Sequence, residues 1–499
     1  MSLKVEQQNA VSVNPSGTSD SEEVIVSALA REMVDQVVQE CAGNVMGGIC
    51  HRTRYYPQPL TGDRIQQIKD RANLNPFLSR AISQFGVTAI TKNPACLKDF
   101  LETKYNIDIG KETDQKSSGR CWIFSALNVM KKYVLDDYGK EFAYSQNFIA
   151  FWDKMERANF FLEKMVEYHD LPVGDQRVQN TIEHLFTDGG EWELFENVVK
   201  KHGVVPGYAM PETEFTGRSG GYMSLLNERL REVGGYLHKK VQDGSATVDE
   251  LHAIKDKAMV EVYTLLCDYL GNPPEKFPWK NAEGKVVSMT PVEFYEQGKC
   301  DLSQKVHLTN LPYVPFGKKI EVEDVGNVVE GLKLRSLNVS MEFLKSAVRE
   351  SIKNGDPVEI GCEMRYLDRD KDLLSIDNDE VSDLFRFDQR YTLDKGDKLH
   401  YKVTAVAHGM VIVGCDDEET VRCDAASMEE TPDTYGPLWK VENSWGSKNR
   451  HIFMTDKWFD QYCYGVVVDK KYLPERLVST SESEENVEQL SGWDPFARI

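Results

Sequence analysis

Asp114–Met130 reads DQKSSGRCWIFSALNVM, a lone cysteine between a Ser-Gly-Arg turn and a run of large apolar residues. Ser117, Ser118 and Gly119 suit a turn and a helix N-cap, and Trp122, Ile123, Ala126, Leu127 and Met130 have the spacing of one buried helix face. Cys121 therefore falls in the first turn of a helix. Two readings compete: a small apolar filler in the core, or a nucleophile. In the first turn, unpaired backbone N–H groups and the helix dipole favour an anion. An imidazolium nearby would lower a thiol further, from ~8.5 toward the ~3.5–7.5 range of activated cysteines. Gln115, six residues earlier, can reach back and join the Cys121 N–H in holding an oxyanion.

A thiolate nucleophile needs a base and a group to orient that base. The run VAHGMVIVG puts His408 at the start of an apolar strand, where an unused imidazole is costly, although a structural histidine is the commoner case. In WKVENSWG, Asn443 can accept from the imidazole N–H and Trp445 can shield that bond from water. Each signal is weak alone; the order Cys121, His408, Asn443 makes them strong together.

The remaining chain frames these residues. With 499 residues and 41% apolar content it can bury one large core or several. The formal charge of −21 repels polyanions and anionic membranes, which sets nucleic-acid binding low. Ten cysteines without a CxxC pair or zinc-like spacing read as reduced thiols. No signal peptide and no stretch of about 18 apolar residues is evident, so a soluble, cytoplasmic protein is expected. The sequon at Asn338 is read as chance.

Residues 1–64 read as an N-terminal arm, polar and disordered to residue 18, then an amphipathic helix from the capping box Ser19/Glu22 to Gly43. A helical lobe carrying the nucleophile is expected over 65–206, and a mainly helical insertion over 207–350. A β-rich lobe should span 351–478 through PVEIGCEM, HGMVIVGCD, LWKVENSW and YGVVVD. Residues 479–499 form a C-terminal arm, an acidic serine-rich linker ending in the apolar SGWDPFARI. Helices first and strands last give an α+β class.

The elements around Gln115, Cys121-Trp122, His408-Gly409 and Asn443-Ser444-Trp445-Gly446 resemble those of papain-like cysteine proteases. DQKSSGRCWIFS, LGNPPEKFPW, TPVEFY, VENSWG, MTDKWF and WDP are similar to the bleomycin hydrolase family, from about Asn75 to Pro495. That resemblance implies a two-lobed α+β papain-like fold with helical insertions, and a cysteine aminopeptidase acting on peptides and bleomycin-like amides without metal or organic cofactor. It also implies a homohexamer. Cys121 is then the nucleophile, His408 the base, Asn443 its orienting partner and Gln115 the oxyanion donor. Gly190, in TDGGEW, would bond the substrate backbone, a reading that a common Gly-Gly loop supports no better than chance, and Trp445 would also contact substrate. The C-terminal arm would lie in the cleft and present its carboxylate, at Ile499, to the substrate's α-ammonium.

Ser118 stands where secreted relatives carry a disulfide cysteine, in keeping with a reduced compartment. The long separation of Cys121 from His408 requires the insertion to lie between the lobes. The acidic stretch DDEETVRCDAASMEETPD between His408 and Asn443 should be a surface hairpin. An endopeptidase, and a nucleic-acid-binding or chaperone-like hexamer, are the alternatives.

Overall fold

The computed structural model describes residues 58–72, 74–87, 101–184, 187–368, 372–376, 384, 385, 387, 391–420, 422, 423 and 434–497. The helix expected between Ser19 and Gly43 and the terminal Ile499 lie outside the described residues. The chain divides into two compact units, Met1–Arg80 and Ala81–Ile499. The described part of the first holds the helix Gly62–Arg71, capped by the Thr61 hydroxyl, which accepts from the Arg64 N–H.

In the second unit, α1 (Cys121–Lys132), α2 (Gln146–Glu167), α3 (Trp192–His202), α4 (Gly220–Gln242) and α5 (Val248–Leu270) share one apolar cluster. The expected face of α1 is there, but every residue from Trp122 to Lys131 is buried. Such a helix packs on all sides. It lies between the helical layer and the sheet, whose Val411 and Val413 join the same cluster.

The sheet is mixed and has twelve strands among the described residues. Its larger strands are β1 (Lys305–Thr309), β2 (Lys318–Val322), β3 (Arg335–Asn338), β4 (Val358–Cys362), β5 (His408–Cys415), β6 (Leu438–Glu442), β7 (His451–Thr455), β8 (Cys463–Asp469) and β9 (Glu488–Leu490). The lateral order is β9-β2-β3-β1-β8-β4-β5-β6-β7. β5 is antiparallel to both neighbours, with Met410 opposite Ile360 on β4 and Val411 opposite Glu442 on β6. All four strands expected between residues 356 and 470 are present.

The segment 207–350 carries strands as well as the expected helices. After α4 and α5 it forms the hairpin Phe277–Lys280/Val286–Met289 and then β1, β2 and β3 of the main sheet, before the helix Met341–Lys353. Strands of four or five residues with charges interspersed, such as KVHLT and KKIEV, give little periodic signal. The expected acidic linker is ordered too. Glu475–Glu482 is helical, and the buried Lys319 ammonium donates to Ser483 O and pairs with Glu484. Within the acidic stretch Arg422–Cys423 pair antiparallel with Thr434–Tyr435, just after it, and residues 424–433 lie outside the described residues.

Candidate active site

One cleft of about 490 Å³ is lined by Gln115, Cys121, Trp122, Gly190 and His408 together with Glu191, His307, Glu359 and residues of β4, β5 and β8. Helix α1 delivers Cys121 and strand β5 delivers His408. They meet because Gly409 lies flat on the start of α1; a β-carbon there would come 3.4 Å from the Trp122 backbone N.

Capping differs from the expectation. The N-cap residue is Arg120, with no side-chain cap, and its guanidinium is buried in a two-pronged pair with Glu212 at 3.0 and 2.7 Å. The Ser118 hydroxyl instead donates to Gln115 O at 2.7 Å. The Ile123 N–H donates to Arg120 O at 3.0 Å, which leaves the Cys121 and Trp122 N–H groups for the thiol and its substrate.

Gln115 is held at both ends of its amide. Its Nε2 donates to Ser118 O at 2.7 Å, and its Oε1 accepts from the Ser444 hydroxyl at 2.5 Å. One Nε2 hydrogen remains, and the residue lines the cleft. The backbone joins the same two segments, with Gln115 N–H donating to Ser444 O at 2.8 Å.

His408 Nε2 bonds Asn443 Oδ1 at 2.9 Å. The same oxygen accepts from the Ser444 N–H at 2.8 Å, which fixes the amide's orientation. Nε2 accordingly carries the hydrogen and Nδ1 the lone pair. Trp445 covers the imidazole with ring centroids 5.1 Å apart, and it is not among the residues lining the cleft.

The protonation states run against the sequence expectation of a lowered thiol. Burial pushes the Cys121 thiol up to about 11; the Gly409 and Trp122 N–H groups oppose this, and the Glu359 and Glu191 carboxyls add to it. Burial also lowers His408, against the bond to Asn443. Burial favours the neutral imidazole and, with two carboxyls nearby, the neutral thiol, and a neutral imidazole is the form able to take a proton.

Gly190 lines the cleft, and a side chain there would put its Cβ 2.6 Å from the Trp122 ring. The ring cannot retreat freely, because its Nε1 donates to Asp188 O at 2.9 Å. Asp188 was not anticipated. Its carboxylate accepts from Gly119 N–H at 2.8 Å and the Ser219 hydroxyl at 2.6 Å, and pairs with the buried Lys154 at 3.4 Å, tying the glycine loop to the cysteine turn. An acid beside a Gly-Gly pair is the only mark it leaves in sequence. Glu359, Glu191 and His307 were missed as well, although a charge inside the apolar run PVEIGC is itself a signal.

This helical layer, sheet and cleft define a papain-like α+β cysteine peptidase. The chain belongs to the Peptidase C1-like family, whose model matches residues 60–497. It is similar to aminopeptidase C of Listeria monocytogenes, 32% identical over 458 residues that cover 88% of this chain and 99% of that protein. It is also similar to bleomycin hydrolase of Homo sapiens, 35% identical over 404 residues covering 78% and 86%. Among solved structures, PepW from Lactobacillus rhamnosis HN001 superposes with a TM-score of 0.78 at 31% identity, over 88% of this chain and 98% of that one. No described helix is long and apolar enough to cross a membrane.

Proposed function

We propose that the chain is a cytoplasmic aminopeptidase that removes N-terminal residues from peptides through Cys121, His408 and Asn443. The 2.9 Å His408–Asn443 bond, in the wall of the cleft that also holds Cys121 and Gln115, is the observation that carries this reading. His408 Nδ1 takes the thiol proton as Cys121 Sγ attacks the peptide carbonyl. The oxyanion receives the remaining Gln115 Nε2 hydrogen and the Cys121 backbone N–H. The protonated imidazole then gives its proton to the departing amine, and water, deprotonated by His408, hydrolyses the thioester. Bleomycin-like amides offer the same carbonyl.

Selectivity for a free amino terminus is assigned to the C-terminal arm. Phe496 and Ala497 are buried in a cluster with Leu311, Ile320 and Tyr464, and Val406 packs against that cluster. Val406 and Gly465, which follows Tyr464, line the cleft. Tyr313 OH donates to Asp494 at 2.8 Å, and β9 adds in parallel to β2. From that seat the arm would block longer substrates, and its terminal carboxylate, at Ile499, would pair with the α-ammonium. Gly190 would bond the substrate backbone. Assembly as a homohexamer is part of the same reading, supported by the exposed Leu225, Tyr236, Val260 and Tyr263 on α4 and α5.

Kinetics on aminoacyl and N-terminally blocked fluorogenic peptides test the proposal, with size-exclusion light scattering for assembly. Cleavage of the free-amino series alone is expected; cleavage confined to blocked peptides would make the protein an endopeptidase.

A further inference from the structure

Beneath the nucleophile the cleft runs into a recess with an unusual charge balance. Glu359 on β4 is 7% exposed and accepts from the Ser125 hydroxyl at 2.5 Å. Ser125 lies one helical turn along α1 from Cys121, so this carboxyl is held one turn beyond the nucleophile along the helix. Glu191, at the start of α3, lines the same cavity and makes no hydrogen bond to a described residue through its side chain. His307 on β1 is buried, with Nδ1 3.4 Å from the buried Glu193 carboxylate. Gly465 on β8 makes room for that ring, since a β-carbon there would meet His307 Nε2 at 2.5 Å.

The recess is therefore lined by two carboxyls and a single imidazole, which is itself paired with Glu193 outside the recess, and the groups acting on Glu359 are Ser125, Glu191, His307 and Glu193. Burial raises Glu359 to about 8 and Glu191 to about 7, so the missing counter-charge is made up by protons near neutrality. A cation entering from the cleft would replace those protons.

We infer that Glu359 and Glu191 form a specificity recess for the cationic side chain, lysine or arginine, of the substrate's N-terminal residue. Lysine and arginine carry their charge at the end of a long side chain that can extend past the sulfur into the cavity these carboxyls line, whereas an α-ammonium next to the reacting carbonyl stays near the sulfur. The inference rests on the aminopeptidase reading. It goes beyond that reading by assigning the first residue's chemistry, and it leaves the α-ammonium to the C-terminal arm.

The test compares kcat/KM for arginyl and citrullinyl, and for lysyl and norleucyl, aminomethylcoumarin substrates, on the full chain and on Glu359→Gln and Glu191→Gln. Glutamine at 359 still accepts from Ser125, and thermal unfolding checks that each variant folds. The wild type should favour the cationic member on the order of 10- to 100-fold, as a site built around a polar group rejects the analogue lacking it. The preference should grow from pH 5.5 to 8 as the recess loses its protons, and fall about tenfold in each folded variant. Equal rates on the paired substrates, or preferences unchanged in both folded variants, overturn the inference while leaving an aminopeptidase. Hydrolysis of blocked peptides alone overturns both readings.

Discussion

His408 and Asn443, brought together from strand β5 and the turn after β6, share a 2.9 Å hydrogen bond that Trp445 screens from one side. The bond selects the tautomer with Nδ1 free. Asn443→Ala should leave thiol and base in place and lower kcat about 10- to 100-fold, whereas His408→Ala should lower it by at least ~10³-fold. Steady-state kinetics on one aminoacyl substrate compare the two, and near-normal turnover of His408→Ala would reassign the base.

Gly190→Ala places a methyl group against the Trp122 ring, which Asp188 O holds through Nε1. Overpacking of this kind costs about 1–3 kcal/mol. Thermal unfolding should show that loss together with a lower kcat/KM, because the displaced ring lies next to the nucleophile. Unchanged stability would mean that the loop moves independently of the cysteine turn.

Stability should decline as pH rises through the titration of the recess. Glu359 and Glu191, with ordinary values of 4.5, are raised by burial to about 8 and about 7. The folded chain keeps protons that the unfolded chain has lost, so their contribution is complete below the ordinary carboxylate range and gone above about pH 8. Burial pulls His307 down, but the Glu193 carboxylate outweighs it and lifts the imidazole to about 9, which acts in the same direction. Melting temperatures between about pH 5 and 9 should fall less steeply in Glu359→Gln than in the wild type.

Deleting Phe496 to Ile499 removes a phenylalanine that is 3% exposed from its cluster. Burial of that size is worth about 3–5 kcal/mol. The deletion should lower the melting temperature and, by opening the cleft, permit cleavage of N-terminally blocked peptides. An unchanged preference for free amino termini removes the arm from the mechanism.

The cysteine turn, the histidine strand and the NSWG turn were legible because each couples an apolar run to one residue with no place in it. Four strands of the sheet announced themselves through β-branched runs of five to eight residues. The strands between residues 305 and 338 did not, since Lys305, His307, Lys319 and Glu321 sit in them as buried charges whose partners come from distant segments. The same reason hid the recess. Glu359, Glu191 and His307 lie on three separate elements, and only folding shows that two carboxyls and one imidazole line the same recess. The rise in the Cys121 thiol was missed because helix position was legible while the burial and the Glu359 and Glu191 carboxyls around it were not.

The central claim is that Cys121 is the nucleophile, and mass mapping after limiting treatment with a peptidyl epoxide or iodoacetamide tests it most directly. The account predicts one adduct, on Cys121, in step with loss of peptidase activity, and no activity in a folded Cys121→Ala protein. Adducts spread over several cysteines, with turnover retained in Cys121→Ala, would contradict it.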